Sequence, residues 1–193
     1  MHSSLKFLKK FGDLSPESLR QLEELAIYRK FPVKKLIASA GETPQHLYLL
    51  ISGVLRAYLT SESGKEFNKR IYTSMSFAGA LTSIIKNEPS EINYQCLTEC
   101  KMFEFNFNHF RILCRENFEI GRLYVRVLEH VFVVYEERNL ELMTLNGTER
   151  YVKLLKQIPN IEELIPQYQI ASYLNISAVQ LSRIRKKFRV TEY

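Results

Sequence analysis

Residues 166–188 read Pro-Gln-Tyr-Gln-Ile-Ala-Ser-Tyr-Leu-Asn-Ile-Ser-Ala-Val-Gln-Leu-Ser-Arg-Ile-Arg-Lys-Lys-Phe. Their apolar residues fall in two stripes at helical spacing, Ile170, Ala171 and Leu174, then Leu181, Ile184 and Phe188. Asn175 stands between the stripes, and Asn tolerates the left-handed backbone of a sharp turn better than most residues. Ser177 is a favourable N-cap for the second helix. The stretch therefore predicts a helix-turn-helix.

The second helix of this motif is strongly basic. From Ser177 to Tyr193 there are five Lys or Arg and one Glu, a net charge of +4 within the chain's total of +6. Arginine can donate to O6 and N7 of guanine, and lysines can contact phosphates. We predict that this helix enters a DNA major groove and contacts DNA through Ser177, Ala178, Val179, Ser182, Arg183, Arg185, Lys186 and Lys187. The alternative is an ordinary helical hairpin whose exposed face is basic.

The composition indicates a soluble, cytoplasmic protein. At 193 residues and 46% hydrophobic content, the chain suits one or two domains with a substantial core. No segment approaches the roughly 18–20 apolar residues of a membrane span, and residues 1–12 lack the apolar run of a signal peptide. Three cysteines fit a reducing compartment. No membrane partner is predicted.

The first 110 residues change from a helical to a β pattern. Ser15 and Pro16 are typical of a helix start, and apolar residues at helical spacing then predict helix over 15–30. Further on, short apolar runs alternate with turn residues, which predicts an antiparallel all-β domain. The predicted strands are 35–40, 46–51, 54–60 and 66–72, with a further strand pair in 97–107.

A long helix is predicted after this domain, because residues 122–146 contain neither Gly nor Pro. Apart from Arg138, one of its faces is an apolar seam with alternating steps of four and three residues. We predict that the seam meets the same helix of a second subunit and that a second stripe packs on the β domain. The predicted dimer interface comprises Tyr124, Leu128, Val131, Tyr135 and Leu142. The alternative is a helix packed wholly within its own monomer. Another helix is predicted over 148–157.

The whole chain resembles the Crp/Fnr family of bacterial transcription regulators. The resemblance is carried by Ile170-Ala-Ser-Tyr-Leu, Ile176-Ser177 and Leu181-Ser182-Arg183-Ile184, and in the β domain by Ser52-Gly53-Val54, Gly64-Lys65-Glu66 and Phe77-Ala78-Gly79-Ala80-Leu81. It implies an α+β fold: an antiparallel, jelly-roll-like β-roll sensor (residues 1–117), a long dimerisation helix (118–146) and a C-terminal winged helix-turn-helix (147–193). It also implies a homodimer that binds double-stranded DNA, with RNA polymerase as a candidate partner.

The resemblance also locates an effector pocket. Cyclic-nucleotide-binding members carry Gly-Glu-Leu and then Arg-Ser or Arg-Thr, whose Glu binds the ribose and whose Arg pairs with the phosphate. The corresponding positions in this chain are Gly79, Ala80, Leu81, Ser90 and Glu91. Without that arginine, the ligand loses a charge-assisted hydrogen bond that contributes about 1.5–3 kcal/mol to the binding free energy. Glu91 is expected near the anion and would repel it. We predict that cyclic AMP is not the ligand; the effector itself stays unknown.

No cofactor, metal or enzymatic activity is predicted. An iron–sulfur cluster needs about four cysteine ligands, and the chain has only Cys96, Cys100 and Cys114. His46, His109 and His130 are isolated, which disfavours haem. His130, on the long helix, is a candidate pH-sensitive interface group. The sequence contains no phosphate-binding loop, His-Glu-x-x-His or Gly-x-Ser-x-Gly motif.

These observations favour a homodimeric, sequence-specific DNA-binding transcription regulator. Its two basic helices would enter successive major grooves about 34 Å apart. Ala178 and Val179 replace a polar pair common in the family, so base reading is expected from Arg183, Ser182 and apolar contact with a thymine methyl. The alternative function is a small-ligand-binding sensor module of the same fold, whose helix-turn-helix binds DNA weakly or contacts a protein partner.

Overall fold

The structure, a computed structural model, describes the backbone of residues 3–191 and the side chains of residues 7–188. Its strands are β1 (Ile27–Phe31), β2 (Leu36–Ala38), β3 (His46–Ser52), β4 (Leu55–Thr60), β5 (Glu66–Tyr72), β6 (Ser76–Ala78), β7 (Asn93–Cys96) and β8 (Cys100–Asn106). After a 3-10 helix (Ser3–Phe11), its helices are α1 (Pro16–Leu25), α2 (Leu81–Lys86), α3 (Phe107–Glu116), α4 (Phe118–Thr144), α5 (Gly147–Gln157), α6 (Ile161–Leu164), α7 (Gln167–Tyr173) and α8 (Ala178–Thr191).

The strands form two four-stranded antiparallel sheets, in the orders β1-β8-β3-β6 and β2-β7-β4-β5. Their inner faces share a core in which Leu50, Leu55 and Met102 are fully buried. This arrangement confirms the predicted β-roll. None of the helices within residues 3–191 is long and apolar enough to cross a membrane.

Two predicted boundaries in this region are wrong. The helix predicted over 15–30 ends at Leu25, because residues 27–31 pair with β8 as a strand. That segment, Ile-Tyr-Arg-Lys-Phe, is rich in residues that favour strands. The strand pair predicted within 97–107 is a single strand, β8, which pairs with β1 and β3, whereas the preceding strand β7 ends at Cys96 and belongs to the other sheet.

The start of α4 is attached to the start of α1. Asn117 caps α4 by accepting hydrogen bonds from the backbone N–H groups of Glu119 and Ile120, at 3.0 and 3.2 Å. The Glu119 carboxylate accepts from the Ser15 N–H at 2.8 Å and from the Ser18 hydroxyl at 2.7 Å. These bonds lower the pKa of Glu119. The long helix is thereby anchored on the roll side of the molecule.

The predicted long helix is present over 27 residues. It ends at Thr144, because Asn146 caps the next helix through a capping box with Glu149. This next helix, α5, confirms the helix predicted over 148–157.

The C-terminal helices pack around one apolar cluster that also contains two residues of the roll, Val54 and Ile71. The DNA-binding domain predicted from the sequence is therefore docked on the β4–β5 side of the roll. No strand follows β8 in the part of the chain that the structure describes, so the wing implied by the family resemblance is not found among residues 107–191.

Candidate DNA-binding face and sensor cavity

The helix-turn-helix forms as predicted. Asn175 has a φ of 53°, the left-handed conformation that the turn requires. The Ser177 hydroxyl accepts a hydrogen bond from the Gln180 N–H at 3.1 Å, and the Gln180 side chain accepts one from the Ser177 N–H at 2.8 Å. Ser177 is therefore the N-cap of α8, and Gln180 completes a capping box.

The two predicted apolar stripes form the core of this motif. Ile170, Leu174 and Leu181 are almost completely buried. Ile176, Ile184 and Phe188 are half-buried and pack around them. Because α8 turns these residues inward, its opposite face is free to contact another molecule.

The outward face of α8 carries most of the predicted DNA contacts. Val179 is 61% exposed. The other exposed members of the set are Ser177, Ala178, Ser182, Arg183, Lys186 and Lys187. Arg183 and Lys186 have no carboxylate partner among the described side chains. Both cations are therefore available to an external anion.

The position of Arg185 differs from the prediction that this residue contacts DNA. Its guanidinium is half-buried and forms an ion pair with Glu162 of α6. Glu162 also accepts a hydrogen bond from the hydroxyl of Tyr151 at 2.8 Å. Arg185 is thus directed toward α6, where it fixes α8 to the rest of the domain instead of facing DNA.

A cavity of about 640 Å³ lies between the roll and α4. Its walls come from β3, β5, β6, the α2 segment and the first half of α4. Gly79, Ala80, Leu81 and Ser90 line it, so the structure brings four of the five predicted pocket residues together.

The cavity wall at Gly79 and Ser90 is closely packed. A Cβ atom at Gly79, whose φ is +136°, would lie 2.9 Å from Cδ2 of Leu47. The buried Ser90 hydroxyl donates to the Ile92 carbonyl at 2.8 Å and accepts from the Ile92 N–H at 3.1 Å. The Ser90 hydroxyl therefore makes its hydrogen bonds within its own turn. Glu91 is exposed and does not line the cavity, so the carboxylate predicted beside the anion is not there.

Two cations of β5, Lys69 and Arg70, line the cavity and were missed in the sequence analysis. The pairing of β4 with β5 shifts so that Ala57 faces Arg70 and Tyr58 faces Asn68, which leaves Lys69 as an extra residue. Such a bulge re-aims side chains that a regular strand would point to opposite faces. The sequence signal that could have located them is the pair of adjacent basic residues in a strand that follows a turn.

Tyrosine side chains form much of the remaining polar surface of the cavity. The hydroxyls of Tyr72 and Tyr135 lie 3.4 Å apart, and the Tyr94 ring lies beside Tyr72. Burial raises the pKa of Tyr72 and Tyr94 well above the ordinary value. These hydroxyls therefore stay protonated and can donate hydrogen bonds.

The predicted dimer seam lies mainly against its own roll. Tyr124, Leu128, Val131 and Tyr135 line the cavity, and the ring of Tyr124 contacts Phe110 edge-on at 5.4 Å. Only Leu142 of the predicted set is exposed. The exposed apolar residues of α4 form a different stripe, Phe118, Val125, Phe132, Val133, Leu140 and Met143. Phe132 of this stripe also borders the cavity. Most of the predicted seam thus faces the cavity in the single chain.

Comparison with known proteins agrees with this architecture. Residues 28–117, which include most of the roll, match the family described as "Cyclic nucleotide-binding domain". The fold of the chain as a whole is similar to that of solved Crp/Fnr transcription regulators. No curated protein matches the chain.

Three solved structures illustrate the likeness. FixK2 from Bradyrhizobium japonicum has a TM-score of 0.73 at 12% identity, covering 86% of each chain. A transcriptional regulator of the Crp/Fnr family from Eubacterium rectale has a TM-score of 0.71 at 15% identity, covering 96% of this chain and 88% of that one. The c-di-GMP-responsive global regulator CLP from Xanthomonas campestris has a TM-score of 0.69 at 18% identity, covering 92% and 93%. At these identities the likeness shows a shared fold.

Proposed function

We propose that the chain is a sequence-specific DNA-binding transcription regulator that acts as a homodimer. The observation that carries this proposal is the outward face of α8, which is basic and exposed while its inward face is held by the domain core. An N-terminally capped helix with free Arg and Lys side chains suits insertion into a major groove.

Within this face, the side chains divide into candidate base readers and candidate phosphate contacts. Arg183 and Ser182 lie in the first two turns of α8, the part of a recognition helix that contacts base edges. Val179 offers an apolar surface to a thymine methyl. Lys186 and Lys187, further along, suit phosphates.

The exposed apolar stripe of α4 supports the homodimer. Phe132 is 69% exposed and Met143 81% exposed, and both belong to the stripe of six large apolar residues defined above. Large exposed apolar side chains grouped on one helix face favour an interaction site. A second copy packed on it by twofold symmetry would cover the stripe and give two α8 helices for a pseudo-palindromic site.

We further propose that the sensor cavity does not recognise cyclic AMP. Ala80 and Ser90 stand where cyclic-nucleotide-binding relatives have Glu and Arg, and Ser90 uses its hydroxyl in its own turn. The residues present do not fit the ribose or the cyclic phosphate, since neither partner of the ligand is available at those positions.

Selection of bound fragments from a random DNA pool, followed by titrations on selected and scrambled duplexes at several salt concentrations, tests the function. A sequence reader keeps a preference of about 10³ or more for the selected duplex as salt rises. A preference that vanishes, with the same salt dependence on both duplexes, would instead support the alternative of a sensor module that binds DNA weakly. RNA polymerase is the further candidate partner, for which co-purification on promoter DNA is the corresponding assay.

A further inference from the structure

The sensor cavity has an unbalanced charge. Lys69 and Arg70 line it, whereas no aspartate or glutamate does among the described residues. Lys69 is exposed and Arg70 is half-buried. The lining of the cavity therefore carries two cationic side chains and no carboxylate among the described residues.

Arg70 is the cation best placed to bind a ligand. Its guanidinium carbon lies 5.1 Å from the ring centroid of Tyr72 and 4.9 Å from that of Tyr135. The Lys69 ammonium lies 5.4 Å from the Tyr135 ring. The two cations thus converge beside one aromatic side chain of α4, where ring stacking restrains Arg70 without neutralising it.

The acidic side chains of the neighbouring cleft form no ion pair with Arg70. Glu137 and Glu141 line a neighbouring cleft that Arg70 also borders. Glu141 is already paired with Arg138 at 3.0 Å and with Lys153 at 2.8 Å. No ion pair joins Arg70 to a carboxylate in the part of the chain that the structure describes.

The remaining walls are predominantly apolar. They are formed by aliphatic and aromatic side chains from the roll and from α4, among them Phe77, Phe105, Phe110, Leu123, Val127 and Leu128. A volume of about 640 Å³ lies within the usual range of roughly 300–1,000 Å³ for small-molecule sites. Such a cavity suits a ligand with an apolar body and a single anionic group.

We propose that this cavity binds a hydrophobic carboxylic acid. Its carboxylate pairs with Arg70 and Lys69, and its body packs between the phenylalanines of the roll and the aliphatic residues of α4. Arginine presents two parallel N–H donors that match the two oxygens of a carboxylate. This inference rests on the proposed function in one respect, namely that the roll is the sensor of the regulator.

Calorimetric titration of the full chain, without DNA, tests the inference. The probes are cinnamate and decanoate, together with their neutral counterparts cinnamamide and decanamide. At least one acid is expected to bind about tenfold or more tightly than its amide, since only the acid forms a charge-assisted bond. Binding of neither acid, or equal binding of an acid and its amide, would overturn the proposal.

Two variants locate the anionic contact. Arg70→Gln is expected to lower the affinity for the acid about tenfold and to leave that for the amide unchanged, with a smaller effect from Lys69→Gln. The matched control is Arg111→Gln, which removes an exposed arginine stacked over Phe107 at 5.8 Å, outside the cavity. A folded Arg70→Gln protein, judged by circular dichroism, that kept the preference for the acid would overturn the assignment.

The DNA assays distinguish this inference from the proposed function. If the protein shows a DNA sequence preference but binds neither acid, the proposed function as a regulator stands and only the carboxylic-acid ligand is ruled out. If the protein binds an acid through Arg70 but shows no DNA sequence preference, the ligand assignment stands and the sensor-module alternative is favoured.

Discussion

Arg56 of β4 donates a hydrogen bond from Nη1 to Oε1 of Gln169 of α7 at 3.0 Å, and both side chains are buried. The amide of Asn68 donates to the same oxygen at 2.7 Å and to the Gln169 carbonyl at 2.9 Å. Gln95, Glu66 and Oδ1 of Asn68 also accept hydrogen bonds from the guanidinium. A buried charge on the roll is thus satisfied partly by the helix-turn-helix, which ties the position of α7 to the roll.

Gln169→Ala tests this connection. The substitution removes the buried side-chain acceptor that Arg56 and Asn68 share, so the free energy of unfolding is expected to fall by about 1–3 kcal/mol. Urea denaturation measures the change. Gln167→Ala, an exposed glutamine of the same helix, serves as the control and should stay within about 0.5 kcal/mol of the parent. Equal stability of the two variants would argue against the network.

Arg183→Ala tests base reading. We expect a loss of about 1–3 kcal/mol on the selected duplex and a relaxed preference at one position of each half-site. Lys186→Ala should weaken selected and scrambled duplexes alike and reduce the salt slope by about one unit. Titrations on both duplexes at several salt concentrations separate the two patterns. An equal loss on both duplexes for Arg183→Ala would assign Arg183 to phosphate binding.

Arg185→Ala tests the corrected role of Arg185. Because its ion pair with Glu162 is half-buried, the free energy of unfolding should fall by about 1–2 kcal/mol, between the values for exposed and buried pairs. The ratio of affinities for selected and scrambled duplexes should not change. Thermal unfolding and the duplex titrations measure the two quantities. A stable Arg185→Ala protein with altered sequence preference would return Arg185 to the DNA interface.

Phe132→Asp tests the dimer interface. Its side chain is exposed in the single chain, so a charge there should leave the monomer folded but cost several kcal/mol in an apolar subunit contact. Sedimentation velocity is expected to show monomers with an unchanged circular dichroism spectrum. Leu128→Asp is the comparison, because it places a carboxylate in the cavity wall and should lower the stability of the fold itself. An intact Phe132→Asp dimer would remove the exposed stripe from the interface.

Cyclic AMP and cyclic GMP are expected not to bind at physiological concentrations. The reason is the absence of both the ribose acceptor and the phosphate arginine, at Ala80 and Ser90. Calorimetric titration of the full chain checks this expectation directly. A dissociation constant in the low micromolar range for either nucleotide would contradict it and would turn attention to Arg70 as a substitute phosphate contact.

The features that the sequence predicted correctly are mostly local. The turn at Asn175, the cap at Ser177 and the apolar stripes of the helix-turn-helix depend on residues a few positions apart. The roll strands are similarly marked by turn residues at close intervals. The helix boundary at Leu25 was mispredicted because pairing with β8, about 75 residues away, overrides the helical spacing of that segment.

Periodicity determines which residues of α4 share a face, but not what that face meets. Tyr124, Leu128 and Tyr135 form a seam that could contact a second subunit or form the wall of a cavity. In the single chain these residues line the cavity beside the roll. The partner of Arg185 lies 23 residues earlier, and one partner of Arg56, Gln169, lies 113 residues later. No local pattern specifies such pairs.

The sequence by itself therefore determined the class of fold and the helix-turn-helix motif, because helix capping and apolar spacing are local properties. Only the tertiary structure decided where charge is left unpaired. Lys69 and Arg70 line the cavity because a bulge in β5 re-aims them and α4 brings Tyr135 beside them. Strand register and helix docking place these groups together, and both depend on contacts between segments far apart in the chain.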